Sequence, residues 1–176
     1  MHQKLPIEID PFRLAKGGLT LDGKLPLSRM PRLSGLITDS HGEVDVKMHF
    51  DIDKILGTSI MSGEFNASLP LICERCSESM VFDARVKCLL AIVNSERKIE
   101  GLAEQYEPWI INSDDPILLS SIVEDELILA IPLVPKHLHA CLPEEAWFSG
   151  DEQESGGDEE KPTSPFAALA ALKLKD

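Results

Sequence analysis

Between positions 44 and 52 apolar and polar side chains alternate without interruption. Val44, Val46, Met48, Phe50 and Ile52 interleave with Asp45, Lys47, His49 and Asp51. Successive side chains of an extended strand point to opposite faces, so this segment has one face to bury and one for water. A lone amphipathic strand has nothing to bury its dry face against; it must pair within a sheet that another layer covers. Candidate neighbours follow at once. Positions 60–72 continue the alternation, and over 80–93 Phe82, Ala84, Val86 and Cys88 interleave with Val81, Asp83, Arg85 and Lys87. Three such runs at short spacing predict an antiparallel sheet, either open or curled into a partial barrel.

The covering layer is read from a change of period. After Asp115-Pro116, a cap residue followed by proline, Ile117, Leu118, Ile122, Val123, Leu127 and Ala130 fall at helical spacing. The pattern predicts a helix over 117–131 with Val123 and Leu127 in the core, Glu124 and Asp125 facing outward, and Pro132 and Pro135 ending it. Nearer the N-terminus, positions 5–9 alternate weakly as a first strand, and Asp10-Pro11 opens a short helix that Gly17-Gly18 closes. Positions 19–36 read as strand and loop. From Pro143 onward Glu144, Glu145, Asp151, Glu152, Glu154, Asp158, Glu159 and Glu160 stand among Gly and Ser with little to bury. Ser164-Pro165 then starts a short helix that ends near Lys173 and Lys175. The expected fold class is α+β: one domain over 1–142 with an antiparallel sheet and one main packed helix, an acidic flexible linker over 143–164, and a short C-terminal helix over 165–176.

Net charge is −13. Such a surface repels phosphate backbones on average and attracts basic proteins, although acidity also serves plain solubility. No apolar run approaches the roughly 18 residues that a membrane span requires, and the N-terminus lacks the apolar stretch of a secretory signal. A cytoplasmic protein without a membrane partner is expected. One basic region stands against the trend: Arg13, Lys16, Lys24, Arg29 and Arg32 cluster in the first third of the chain. It is the candidate for contact with RNA phosphates.

The sharpest local signal is Cys73-Glu74-Arg75-Cys76. In an extended strand residues three apart point to opposite faces, so both sulfurs serve one site only if Glu74-Arg75 makes a tight turn, as in a zinc knuckle. A second half-site is then required. His137 and Cys141 share a face whether their segment is helical or extended, whereas His139 joins them only if it is extended. The candidate ligands are Cys73, Cys76, His137 and Cys141, with His139 as alternate and zinc as the cofactor. Two packed thiols beside a turn, or a redox pair, are the competing readings. The redox reading is the weaker, because a redox CxxC opens a helix after a strand and here more strand follows. Cys88 lies within an alternating run as a small core residue.

Other motifs fail on inspection. The stretch from Gly18 to Lys24 matches the first seven positions of a phosphate-binding loop, but Leu25 stands where Ser or Thr must hold magnesium and Pro26 follows. No nucleotide is expected. Asp51 and Asp53 begin like a calcium loop, but Gly57 comes one position late and Ser62 replaces the bidentate Glu. Without another catalytic constellation, the expected function is not enzymatic.

Several stretches resemble the YceD family, whose members are named large ribosomal RNA subunit accumulation proteins. Lys4-Leu5-Pro6-Ile7-Glu8-Ile9-Asp10-Pro11 is similar to the family's opening, and Cys73-Glu74-Arg75-Cys76 resembles its CxRC signature. Tyr106-Glu107-Pro108 precedes a block similar to the family's most recognisable one, Ile122-Val123-Glu124-Asp125-Glu126-Leu127-Ile128-Leu129-Ala130-Ile131-Pro132-Leu133-Val134-Pro135. Ser164-Pro165-Phe166-Ala167 resembles its closing Asn-Pro-Phe-Ala, with Ser in place of Asn. The resemblance implies a role in synthesis, processing or stability of the large-subunit ribosomal RNA. It also implies a ligand pair after the helix at the spacing of His137 and Cys141, with His in place of Cys, and so favours His137 over His139. The partner expected is a basic ribosomal protein or large-subunit precursor, with Phe166 and Leu169 either anchoring the last helix or docking on that partner. The rival reading is a direct RNA-binding or RNA-processing factor that uses the basic N-terminal residues.

Overall fold

The computed structural model describes residues 4–111 and 116–143. All of these but Pro143 belong to one unit, Met1–Leu142. The expected linker beyond Pro143 and the expected C-terminal helix, with Phe166 and Leu169, lie outside the described residues.

Strand β1 (Glu8–Ile9) leads into helix α1 (Pro11–Gly17). The start is the expected one: Asp10 is the cap, its Oδ1 accepting from the Arg13 amide at 2.9 Å, and Pro11 occupies the first helical turn, where a missing N–H costs nothing. Gly18 closes the helix with φ of 59°, a left-handed conformation that favours glycine. Strand β2 (Thr20–Pro26) follows, then a short 3₁₀ turn (Leu27–Arg29) and helix α2 (Pro31–Ser34). The alternating run forms β3 (Glu43–Ile52), and β4 (Ser59–Ile72) and β5 (Ser79–Val93) complete the meander. A 3₁₀ segment (Glu96–Gly101) leads to β6 (Glu107–Ile110), β7 (Ile117–Leu118) and helix α3 (Leu119–Ala130).

The main sheet has the order β2-β3-β4-β5-β6, and β1 pairs with β7 in a separate two-stranded ribbon. The three expected runs pair antiparallel and β2 joins them in the same sense, but β6 adds parallel to β5, which makes the sheet mixed. Among the described residues it does not close into a barrel. Its dry face carries Val44, Val46, Met48 and Phe50 from β3 and Met61, Phe65, Leu69 and Leu71 from β4, all buried. On the wet face Asp22, Lys47, Glu64 and Lys87 stand opposite one another in a row across four strands. Alternating signs at cross-strand positions suit a solvated surface.

Helix α3 departs from its expected start. Ile117 and Leu118 pair with Ile9 and Glu8, so the helix begins at Leu119 and its cap, Leu118, makes no side-chain hydrogen bond. Pairing with an otherwise single strand overrides the Asp-Pro start signal; Asp115 itself lies outside the described residues. A second correction concerns Glu124, expected to face outward but only 3% exposed. One carboxylate oxygen accepts from the backbone amides of Arg32 (2.6 Å) and Leu33 (3.0 Å), and the other from the Arg32 side chain (3.1 and 3.0 Å). The charge therefore serves as the cap of α2, whose own N-terminal residue, Met30, offers no side-chain acceptor. The loop expected over this region is instead an ordered corner with Leu27, Met30 and Leu33 fully buried.

Candidate metal centre

The turn between β4 and β5 is a tight hairpin. The Cys73 amide donates to the Glu78 carbonyl and the Ser77 amide to the Cys73 carbonyl, each at 2.8 Å, with Ser77 in the left-handed region at φ 60°. This is the turn at Glu74-Arg75 on which convergence of the two sulfurs depends. Cys73 is buried and Cys76 half-buried.

The second half-site comes from the segment after α3. Glu74 donates its amide to the Pro135 carbonyl at 2.8 Å, which pins that segment against the hairpin. The structure thereby gathers Cys73, Cys76, His137 and Cys141, one ligand atom each, within 4.8 Å of one another. The Sγ atoms of Cys73 and Cys141 are 3.8 Å apart, and Cys76 Sγ lies 3.4 Å from His137 Nδ1. A zinc tetrahedron with Zn–S of about 2.3 Å and Zn–N of about 2.0 Å has S···S edges of about 3.8 Å and S···N edges of about 3.5 Å. The donor set and these separations fit such an ion. The cluster could hold a metal, with all four positions supplied by protein. His139, the alternate, is outside the set; its ring lies beside that of His137, centroids 4.8 Å apart.

The electrostatics favour the thiolate at two of the three cysteines. Burial opposes ionisation of Cys73, yet the backbone N–H groups of His137, Cys76 and Arg75, with the Cys76 thiol, hold it down to about 5. Burial pushes Cys76 up to about 11, with the Cys141 and Cys73 thiols adding to the rise. Burial opposes ionisation of Cys141 too, but Arg75, His137 and Cys76 bring it below the usual thiol range. His137 is raised, chiefly by its bond to Cys141 and against its own desolvation. A metal binds the deprotonated thiol, the form towards which Cys73 and Cys141 are already held.

Arg75 is the residue that sequence reasoning passed over. Its guanidinium donates to Cys141 Sγ at 2.9 Å, to the His137 carbonyl at 3.0 Å and to the His139 carbonyl. One side chain of the first half-site thus holds three acceptors of the second. The signal is its place inside the turn as the Arg of the CxRC signature, a position to which the sequence alone attaches no role.

Elsewhere the candidates separate. Lys24 pairs with Asp45 at 2.9 Å and Glu43 at 3.9 Å, and Arg32 with Glu124 at 3.0 Å and Asp125 at 2.6 Å. Arg13, Lys16 and Arg29 are exposed. The N-terminal basic cluster is thus not one patch of unpaired cations. Positions 20–26 of the loop-like glycine stretch are strand, so no phosphate cradle forms there. Cys88 sits half-buried on β5, and burial pushes its thiol up to about 12, as for a packing residue.

Fold and site together define a small α+β sheet protein with a two-segment Cys₃His knuckle at one sheet end. Comparison with known proteins then specifies it. The family model described as large ribosomal RNA subunit accumulation protein YceD matches residues 61–173. The large ribosomal RNA subunit accumulation protein YceD of Haemophilus influenzae is 33% identical over 177 residues, covering 98% of each chain. The chain belongs to the YceD family. No solved structure matches it significantly.

Proposed function

We propose that this chain is a cytoplasmic, non-enzymatic accessory factor in accumulation of the large-subunit ribosomal RNA, acting through a basic ribosomal protein or an assembly intermediate. The observation that carries the reading is the closed Cys₃His cluster. Structural zinc sites fill all four positions with protein ligands, whereas catalytic ones keep a position open for water or substrate. When bound, zinc would cross-link the β4–β5 hairpin to the segment after α3 through Cys73, Cys76, His137 and Cys141. The family relationship supports the ribosomal role, and the net charge of −13 favours a basic client over bare RNA.

Two measurements test it. Protein purified without chelator is expected to carry close to one equivalent of zinc, and Cys73→Ser to lose it; under one-tenth equivalent in the parent chain sinks the zinc assignment. A tagged chain recovered from growing cells is expected to retain a basic large-subunit protein after nuclease treatment. If nuclease removes everything but the tagged chain, and precursor RNA is recovered without it, the direct RNA-binding reading replaces this one. The pairing of Lys24 and Arg32 with acids counts against that rival, which is left with Arg13, Lys16 and Arg29.

A further inference from the structure

Strand β5 is longer than its pairing on one side. Towards β4 it is paired from Ser79 to Ile92, but on the other side β6 meets only Leu90 to Val93. Among the described residues no strand pairs with that outer side over 79–89, and the backbone of Ser79 is met there only by the His137 ring. The parity of the free peptide groups follows from the hairpin. The closing bond from Cys73 to Glu78 makes even-numbered residues of β5 exchange hydrogen bonds with β4, so odd-numbered ones point outward. The bond from the Ile111 amide to the Val93 carbonyl shows the same parity at the far end. The N–H and C=O groups of Val81, Asp83, Arg85 and Lys87 thus form an open template. The edge has no proline, and its register with β4 runs from Ser79 to Ile92 without a bulge; its charges, Asp83, Arg85 and Lys87, are of mixed sign.

The geometry points to a second copy of this chain as the occupant, β5 pairing antiparallel with β5 about a two-fold axis at Ala84. Outward peptides must meet outward peptides, so the register moves only in steps that keep the parity. Centred on Ala84, Asp83 faces the partner's Arg85 and Arg85 faces the partner's Asp83. Shifted one step either way, Asp83 faces the partner's Asp83, or Arg85 the partner's Arg85. Like charges directly opposite destabilise a sheet and opposite ones stabilise it, so the sequence selects the Ala84 register. On the dry face the same register sets Phe82 beside the partner's Val86 and Met80 beside the partner's Cys88. All four are half-buried in one copy and gain cover in two, and Val81, 64% exposed, is covered by the aliphatic stem of the partner's Lys87. The interface is isologous and self-limiting.

The test is a charge swap read by sedimentation velocity on the full chain, at concentrations up to hundreds of micromolar on the order of a weak, small interface. The parent is expected to show a concentration-dependent monomer–dimer equilibrium. Asp83→Arg and Arg85→Asp are each expected to weaken it at least tenfold, and the double variant to restore it. Asp83 also accepts a 2.7 Å bond from Ser68 Oγ, so Arg85→Asp, which leaves that bond intact, is the cleaner single change. Circular dichroism confirms that each variant is folded. A parent monomeric throughout, single variants that dimerise as the parent does, or a double variant that stays monomeric each overturns the proposal. Because the readout is self-association alone, the outcome does not depend on the metal or on the ribosomal partner.

Discussion

Glu124 offers the most quantitative check on the physical reading. It is a carboxylate 3% exposed, with two backbone amides and one guanidinium as its partners. Glu124→Ala removes the acceptor for the Arg32 and Leu33 amides at the N-terminus of α2. Each buried donor left unmatched costs roughly 1–3 kcal/mol, and the small void adds to that. The Arg32 side chain is 55% exposed, so its ion pair is screened and contributes the lesser share. The expected loss is therefore about 3–4 kcal/mol, or roughly 10 °C in melting temperature for a domain of this size. Glu124→Gln, which keeps one acceptor oxygen but turns an amide towards the guanidinium, falls between it and the parent. Arg32→Ala, which preserves both backbone donors, costs the least. Urea unfolding followed by circular dichroism, with the slope unchanged, measures all three. If Arg32→Ala costs as much as Glu124→Ala, the surface ion pair matters and the capping argument is wrong.

Three further outcomes follow from single side chains. Arg75→Met removes the guanidinium from Cys141, His137 and His139 and is expected to lower zinc affinity by about 10–100-fold in a chelator competition; an unchanged affinity would show that the hairpin alone orders the second half-site. Ser77, at φ 60°, pays the left-handed penalty that Gly57 avoids at φ 66°, so Ser77→Gly should stabilise by roughly 1 kcal/mol in urea titrations, and a loss of stability would refute the strain. A Cβ on Gly63 would lie 2.7 Å from both Cys88 Sγ and Phe65 Cζ, so Gly63→Ala should cost about 1–3 kcal/mol. Adding Cys88→Ala should recover part of it, and strictly additive losses would mean that the two side chains do not compete for that space.

The long strands were legible because their period is set by burial alone: every second residue of 44–50 is in the core. Helix α1 was legible because Asp10, Pro11 and Gly18 each carry a local backbone requirement. What sequence could not show depends on partners distant along the chain. Ile117 and Leu118 fit a helical stripe as well as a strand, and only Ile9 and Glu8 decide between them. Glu124 reads as a solvated charge unless the uncapped amides of α2, about 90 residues earlier, are already in place. The site divides along the same line. Its four donors follow from residue type and spacing, but the guanidinium that joins its halves touches two backbone carbonyls, which carry no sequence signature.

Two hairpins of this sheet share one geometry, and they differ in what the candidate metal cluster adds to the second. In the turn between β3 and β4 the Asp53 amide donates to the Thr58 carbonyl and the Gly57 amide to the Asp53 carbonyl, each at 2.8 Å, as Cys73, Glu78 and Ser77 do in the next turn. Asp53 Oδ1 accepts from the Ile55 and Leu56 amides at 2.8 Å. The corresponding amides of Arg75 and Cys76 face the Cys73 sulfur and draw its thiol down. The first position of either turn is therefore a nest for an anion. A carboxylate fills it unaided, and Tyr106 donates its hydroxyl to the other Asp53 oxygen. A thiol fills it only when ionised. Cys73→Asp separates the two demands: the carboxylate satisfies the nest but is a poorer partner for a soft thiolate site. With chelator present, the variant is expected to unfold at the parent's urea midpoint while Cys73→Ala unfolds earlier. Without chelator, both should retain far less zinc than the parent. If Cys73→Asp is as destabilised as Cys73→Ala in chelator, the nest does not select an anion, and Cys73 is held in place by packing alone.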